Sequence, residues 1–556
     1  MTTLLKDAIA AKISRALDAA VAAGDLPPEA RAEVQVERTR NPAHGDYASN
    51  VAMTLARPAR RAPAQIAAAI AGRLECDGLL ARVDVAAPGF LNVTLAEDAL
   101  TARVREVLAG GAAYGRSQVG RGERIVLEYV SANPTGPLHV GHGRWAVLGS
   151  SLASLLRWAG FTVHEEFYVN DFGNQLQNLG KSLYYRVHGL PLPEGATDLY
   201  AGAYVEEAAE AARKTIPDLP GLSEAAQVER LADFGRDYFI AQQEAVLERL
   251  GANFDHWFSE RDLHRSGEVA QALDLLKERG EIEEREGALW LLSSKYGDSE
   301  DRVVVRSDGR PTYLAADIAY HWDKLRRGHQ RLINIWGADH HGYVARMKAA
   351  IAALGHDAAS LEVLLGQLVK LFRGGEEVRM SKRAGNIVTI DEVVDEVGVD
   401  ATRYFLVARS ADTQIDFDLD LAVKESADNP VFYVQYAHAR ICSIWRMGQE
   451  QGLLPADLGA VDLAPLAHPD ERKLMLDLAQ FPDEVAAAAV AREPHRITRY
   501  AQELATDFHQ FYTNCRVLNE AQPALTAARL ALVAASRTVL ANALSGILKI
   551  SAPERM

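Results

Sequence analysis

The chain has 556 residues, 48% of them hydrophobic, with 60 Lys and Arg against 75 Asp and Glu, a formal net charge of −15. That length exceeds what one hydrophobic core sustains, so several domains are expected, with three as the working number. The acidic balance argues against a general polyanion binder. The cysteines Cys76, Cys442 and Cys515 lie too far apart for a disulfide framework or a Cys/His zinc cluster, and are expected to be buried small apolar residues.

Residues 1–110 hold 13 basic and 13 acidic side chains. The opening MTTLLKDAIAAKISRALDAAV spaces its apolar residues helically and lacks the basic n-region and cleavage site of a signal peptide. It reads as a structural helix of a cytoplasmic protein. PAQIAAAIAGRL reads as a second helix, and ARVDVAAPGFLNVTL as two strands about a Pro-Gly turn. A small α/β domain over 1–110 is expected.

Near residue 122 the pattern changes. RIVLEYVS reads as a buried strand, SANPTGPLHVGHGR (131–144) as a loop, GRWAVLGSSLASLLRWAG as a helix closed by glycine, and FTVHEEFYVND as another strand. This βαβ order implies a parallel sheet. Residues 180–290 read as amphipathic helices inserted between the halves of that sheet. Strand signals resume at ALWLLS, RVVVRS, RLINIWG and LEVLLGQLVKLF. From about 425 onward the period is helical almost throughout, as in RITRYAQELATDFHQFYTNCRVL, which predicts an all-α bundle. The expected architecture is multidomain α/β: a small N-terminal α/β domain, a Rossmann-like parallel-sheet core with a helical insertion over 111–425, and an all-α bundle over 426–556. The longest apolar runs, such as VAAAAVA, fall short of a membrane span, and no membrane association is expected. The excess acid lies almost wholly in the centre, because 431–556 is also near balance with 12 basic and 13 acidic residues. An acidic centre favours a cationic substrate there.

HVGH (139–142) stands where a parallel strand ends and a helix begins, the place where such sheets bind ligands and where helix N–H groups attract anions. His139 and His142 can donate to phosphate oxygens, and Gly141 lets a ligand approach the backbone. A pair of capping histidines would leave the same pattern. A second segment, VRMSKRAGN (378–386), sits in a basic, glycine-containing stretch expected to be a loop over about 376–388. Its Lys382 could meet a polyphosphate from the other side.

Together, HVGH, RMSKR and the helical C-terminus resemble the class I aminoacyl-tRNA synthetases, with HVGH standing for HIGH and RMSKR for KMSKS. Arg379 replaces the usual lysine and keeps the charge in a different shape. The resemblance implies that His139, His142 and Lys382 act catalytically on phosphate charge. It also implies that Gly141, Gly337, His340, Arg379, Met380 and Ser381 help to hold ATP.

Within the class, VLEYVSANPTGPLHVGH is similar to the arginyl-tRNA synthetases, with Glu128 five residues before Asn133, and PTYLAADIAYH supplies Tyr313 and Asp317 four apart. A guanidinium is a permanently charged planar fork of donors, so its pocket wants carboxylates and a phenol. Glu128, Asn133, Tyr313, Asp317 and, from WGADHHGY, Asp339 are the implied arginine-binding residues. Asn170, Asp171 and Gln175, in YVNDFGNQ, either contact substrate or cap a loop. The ends resemble the same family: Phe90 and Asn92 near the N-terminus, and Tyr433, Tyr436 and Arg440 on one helical face, are the implied tRNA contacts. The resemblance implies ATP-dependent ligation of L-arginine to its tRNA through an adenylate, with Mg²⁺ arriving with ATP, no zinc, and a monomer. The alternatives are a class I synthetase for another amino acid, or a synthetase-like RNA-binding protein without the chemistry.

Overall fold

The computed structural model describes residues 4–39, 41–378 and 388–556. In the N-terminal part, the helix Leu5–Ala22 buries Ile9, Ile13, Ala16, Leu17 and Ala20, a stripe at three- and four-residue spacing. With the helix Pro63–Ala71 it accompanies an antiparallel sheet of β1 (Glu37–Arg38), β2 (Tyr47–Ser49), β3 (Leu80–Ala86) and β4 (Phe90–Leu95), ordered β1-β2-β4-β3. The helix Glu97–Gly110 then leads to the core.

The core sheet is parallel throughout and ordered β12-β11-β5-β6-β7, from β5 (Arg124–Glu128), β6 (Thr162–Val169), β7 (His256–Ser259), β11 (Arg331–Gly337) and β12 (Leu361–Gly366). The helix Val140–Trp158, hereafter the histidine helix, is buried on nearly every side and ends before Gly160 at φ +86°. The expected βαβ unit is therefore present.

Three expectations need correction. β7 lies inside the stretch read as helical insertion; four residues at a sheet edge are too short for periodicity to reveal. ALWLLS and RVVVRS form strands outside the parallel sheet, in an antiparallel sheet of β8 (Ile282–Arg285), β9 (Ala288–Leu291) and β10 (Arg302–Val305). The β8–β9 turn carries two positive φ angles, at Glu286 and Gly287, a turn that keeps strand twist. Finally, LEVLLGQLVKLF is two strands: β12 stops at Gly366, which packs on the Trp145 ring. β13 (Val369–Arg373) then joins another sheet with β14 (Glu376–Glu377) and β15 (Ile415–Asp418). Buried Arg144 secures this break by donating to the carbonyls of Gln367 (2.6 Å), Ser410 (2.9 Å) and Thr413 (2.6 Å).

The C-terminal bundle packs the helices Pro430–Glu450, Pro469–Ala491, His495–Asn514 and Pro523–Ala541. Contrary to the sequence expectation, the segment Pro523–Leu548 is long and apolar enough to cross a membrane, but 72% of its apolar window is buried in the protein, as befits a core helix. Arg472 ties the bundle to the N-terminal domain through a bidentate pair with Asp46, at 2.9 and 2.8 Å. Cys442 and Cys515 are buried as expected, whereas Cys76 is exposed.

Buried Arg403 joins three parts. It donates to the carbonyls of Leu548 (2.9 Å) and Leu250, and to the hydroxyls of Ser150 and Ser151 (both 3.1 Å) on the histidine helix. Arg403→Met should leave those buried acceptors unpaired and lower stability by about 3 kcal/mol. Urea unfolding followed by circular dichroism should show the midpoint fall; an unchanged midpoint would remove Arg403 from this role.

Candidate active site

Two cavities open where the strands of the core sheet end. The smaller, about 200 Å³, lies beyond β5 and β11 under the helix Tyr313–Arg326. Glu128 and Asn334 are neighbours on the two strands, and the helix sends the wholly buried Lys324 down to both. Lys324 Nζ donates to Glu128 Oε2 at 2.6 Å and to Asn334 Oδ1 at 3.3 Å. Asn334 Nδ2 lies 2.9 Å from His321 Nε2, and His321 Nδ1 lies 2.8 Å from the carbonyl of Asp317. Burial lowers the His321 pKa to about 3, so the ring is neutral. Nδ1 then carries the proton for Asp317 and Nε2 accepts from Asn334. One chain of hydrogen bonds thus runs from Glu128 to the backbone of Asp317.

Glu128 therefore already has a cation. Its second oxygen accepts from Ser131 Oγ at 3.0 Å, in a turn where Val130 (φ +70°) and Ser131 (φ +46°) are held in the left-handed region. A β-branched residue there is strained, and such strain gathers at functional sites. The carboxylate left for a ligand is Asp317. The Tyr343 hydroxyl donates to its Oδ2, and burial, reinforced by the fields of Glu260 and Glu128, pushes its pKa up to about 7. Glu260 is buried at the end of β7, beside Tyr168. With Lys324 paired to Glu128, Asp317 is the cavity-lining carboxylate that has no ion pair among the described residues, an arrangement suited to a cationic ligand.

Gly337 and His340 line this cavity, alongside Trp145, Tyr168, Trp336 and Tyr343. Three of the expected arginine contacts, Asp339, Tyr313 and Asn133, do not line this cavity. Asp339 sits on a short 3₁₀ turn with its side chain 83% exposed, 3.7 Å from His340. Tyr313 opens the helix one turn before Asp317 and is 70% exposed. Lys324, Tyr343, Glu260 and Tyr168 escaped the sequence reading. The one signal for Lys324 was a lysine seven residues after Asp317 on the same helix, near two full turns on.

The larger cavity, about 770 Å³, is lined by Asn133, Gly136, His139 and His142 on one side and by Tyr200 and Tyr204 of the insertion on the other. His139 caps the histidine helix: its Nδ1 accepts from the Gly141 amide at 3.1 Å, while His142 Nδ1 accepts from the His139 amide at 3.3 Å. The rings stack at 3.7 Å. Capping therefore occurs, and it occupies Nδ1 of both rings. A neutral ring then carries its proton on Nε2, the donor that a phosphate oxygen needs. Gly141 is required by the cap itself, because a Cβ there would press on the His139 ring at 2.9 Å.

Asn133 belongs with the histidines rather than with Glu128. It donates to Gln175 Oε1 at 2.7 Å, and its carbonyl accepts from buried Gln243 at 3.0 Å. Asp171 is a strap: it accepts from Ser259 Oγ at 2.9 Å and the Arg261 amide at 3.0 Å, fastening the end of β6 to the end of β7. Asn170 is half-buried next to it. Arg379, Met380, Ser381 and Lys382 lie outside the described residues. Just beyond them, Thr389 pairs with His139 in a β-bridge and the Ile390 amide donates to the Leu138 carbonyl at 2.9 Å.

Away from the cavities, Phe90 is exposed at the start of β4, while Asn92 is buried at 5% and presents little to a partner. Tyr433, Tyr436 and Arg440 do share a face. The Arg440 guanidinium lies 4.7 Å over Tyr436 and 5.3 Å over Tyr512, and Tyr433 meets His509 edge-on at 5.0 Å. Tyr512 and His509 come from the helix His495–Asn514 and were not anticipated.

Three family profiles cover the chain: "Arginyl tRNA synthetase N terminal domain" matches residues 4–95, "tRNA synthetases class I (R), catalytic domain" 103–441, and "DALR anticodon binding domain" 434–556. Proteins from Symbiobacterium thermophilum and Frankia alni, each named arginine--tRNA ligase, are both 49% identical to it, over 99% of this chain and 98% and 99% of theirs. The solved arginyl-tRNA synthetase of Thermus thermophilus is 26% identical and superposes with a TM-score of 0.77 over the whole of both chains. The chain belongs to the arginyl-tRNA synthetase family of class I aminoacyl-tRNA synthetases.

Proposed function

We infer that this chain ligates L-arginine to its tRNA in two steps, with each cavity serving one substrate. The arginine carboxylate attacks the α-phosphate of ATP, giving arginyl-adenylate and pyrophosphate; a terminal ribose hydroxyl of the tRNA then takes the acyl group and releases AMP. No enzyme nucleophile is needed, so positioning and charge stabilisation supply the rate. The observation that carries the assignment of substrate is the half-buried carboxylate Asp317, which accepts from Tyr343 and lines a cavity whose one ammonium, Lys324, is already paired with Glu128.

In this reading the guanidinium of arginine sits against Asp317, with Trp336 and Tyr343 walling it. Lysine, lacking the fork, would leave acceptors unfilled. ATP lies in the histidine cavity as its magnesium complex, with Mg²⁺ as counter-ion to the phosphates. Nε2–H of His139 and His142 donate to phosphate oxygens, and the ammonium of Lys382 adds positive charge to the polyphosphate. The tRNA runs over Phe90 and over the patch of Tyr436, Arg440 and Tyr512, where aromatic rings and a guanidinium suit unstacked bases. A cytoplasmic monomer completes the reading; light scattering near 60.6 kDa would support it.

Exchange of pyrophosphate into ATP, assayed with each of the twenty amino acids with and without tRNA, should respond to arginine alone. Exchange with a different amino acid would overturn the pocket. Asp317→Asn should raise the KM for arginine about 100-fold, some 2.7 kcal/mol, while changing that for ATP less than threefold. Equal losses for both substrates would contradict the role. Arg440→Ala should weaken tRNA binding and flatten its salt dependence by about one unit of slope, with arginine KM unchanged. Unaltered tRNA affinity would remove the patch from the RNA path.

A further inference from the structure

Strand pairing between β6 and β7 gathers a third cluster, at the solvent edge of the sheet. Glu166 lies opposite His256, and His164, two residues before Glu166, shares its face. His256 Nδ1 is 3.2 Å from Glu166 Oε2 and His164 Nε2 is 3.7 Å from the same oxygen; one ligand atom from each of the three residues falls within 4.8 Å of the others. Among the described residues, His164 Nε2 is buried and has no hydrogen-bond partner. None of these residues lines either substrate cavity.

We propose that His164, Glu166 and His256 bind one divalent ion of the zinc type. A tetrahedral centre with bonds of about 2.0–2.2 Å sets its ligand atoms about 3.3–3.6 Å apart, which the 3.2 and 3.7 Å separations bracket. Two imidazoles, a carboxylate and one water form a donor set for Zn²⁺, Co²⁺ or Ni²⁺ rather than for Mg²⁺ or Ca²⁺, which prefer oxygen alone. The surroundings fit this use. Asp255 Oδ2 lies 3.8 Å from His164 Nδ1, beyond hydrogen-bond distance, and adds negative charge on the far side of the ring. His256 is exposed and gives the ion a way in. Arg327 holds both oxygens of Glu166, at 2.7 and 3.0 Å, which keeps the carboxylate oriented and leaves Oε2 a second lone pair. The guanidinium also offsets the charge of Glu166, so binding should be micromolar rather than nanomolar. An ion here clamps the edge strand β7 onto β6. The expectation of no zinc rested on cysteine and histidine spacing along the chain, whereas Glu166 and His256 stand 90 residues apart and meet only through the sheet.

The test uses the full-length protein stripped with EDTA and desalted, titrated with Co²⁺ for its visible tetrahedral bands and with Zn²⁺ against a chromophoric chelator. One equivalent should bind, His256→Ala should weaken it about 30-fold, and His164→Gln should do the same. Zn²⁺ should raise the thermal midpoint of the wild type more than that of His256→Ala. Circular dichroism and retained arginylation would show that the variants fold. Zinc taken up elsewhere, for instance at the paired His139 and His142, would survive His256→Ala, so the component lost in the variant is the decisive quantity. No saturable Co²⁺ or Zn²⁺ binding, or isotherms identical in wild type and both variants, would overturn the proposal.

Discussion

The contact between Lys324 Nζ and Glu128 Oε2, 2.6 Å long and sealed from solvent, sets the terms for the rest of the site. Separating two such buried charges by removing either partner typically costs about 3–5 kcal/mol, so the pair fixes the helix Tyr313–Arg326 over the end of β5. In the proposed reading, the selection of arginine follows from that docking. Asn334 and His321 continue the chain of bonds to the backbone of Asp317, and Tyr343 holds its carboxylate from the other side. Because Lys324 already answers Glu128, the cavity keeps one carboxylate in need of a cation. A pocket lined with three equally uncompensated acids would be far costlier to bury.

A second constraint separates the two cavities. Directly after β5 the backbone enters the left-handed region at Val130 and Ser131 and turns away from Glu128. Asn133 and the two histidines therefore face the other cavity. The cap on the histidine helix uses Nδ1 of both rings, which orients their remaining nitrogens, so structural and chemical roles reside in the same residues. The β-bridge from His139 to Thr389 brings the far end of the lysine-bearing segment to the same place.

Much of this was legible in the sequence, and the reasons are specific. The strand RIVLE, the glycine-closed helix and the strand FTVHEEFYV carry strong periodic and capping signals, so the βαβ unit and the position of HVGH followed. The helical C-terminus was equally plain. What escaped were features created by long-range pairing. β7 has four residues and no period of its own. Lys324 reads as an ordinary helix lysine until Glu128, 196 residues away, is found beneath it. Tyr343 and Tyr168 reach the cavity from a different helix and a different strand. Asp339 and Tyr313 stand apart: motif proximity suggested contact, and the short turn and the helix start leave both side chains exposed, outside the lining of the cavity.

In the proposed reading, Asp317 is the carboxylate that ionises to receive the guanidinium. Its raised pKa, about 7 in the free protein, must fall when a cation binds. Arginine binding should therefore release protons below that pH and strengthen as pH rises through 7, levelling off above 8. Titration calorimetry with arginine in two buffers of different ionisation enthalpy measures this directly. The account predicts release of roughly three quarters of a proton at pH 6.5, roughly a tenth at pH 8, and loss of that release in Asp317→Asn. Proton release that is absent at pH 6.5, or that persists unchanged in Asp317→Asn, would contradict it.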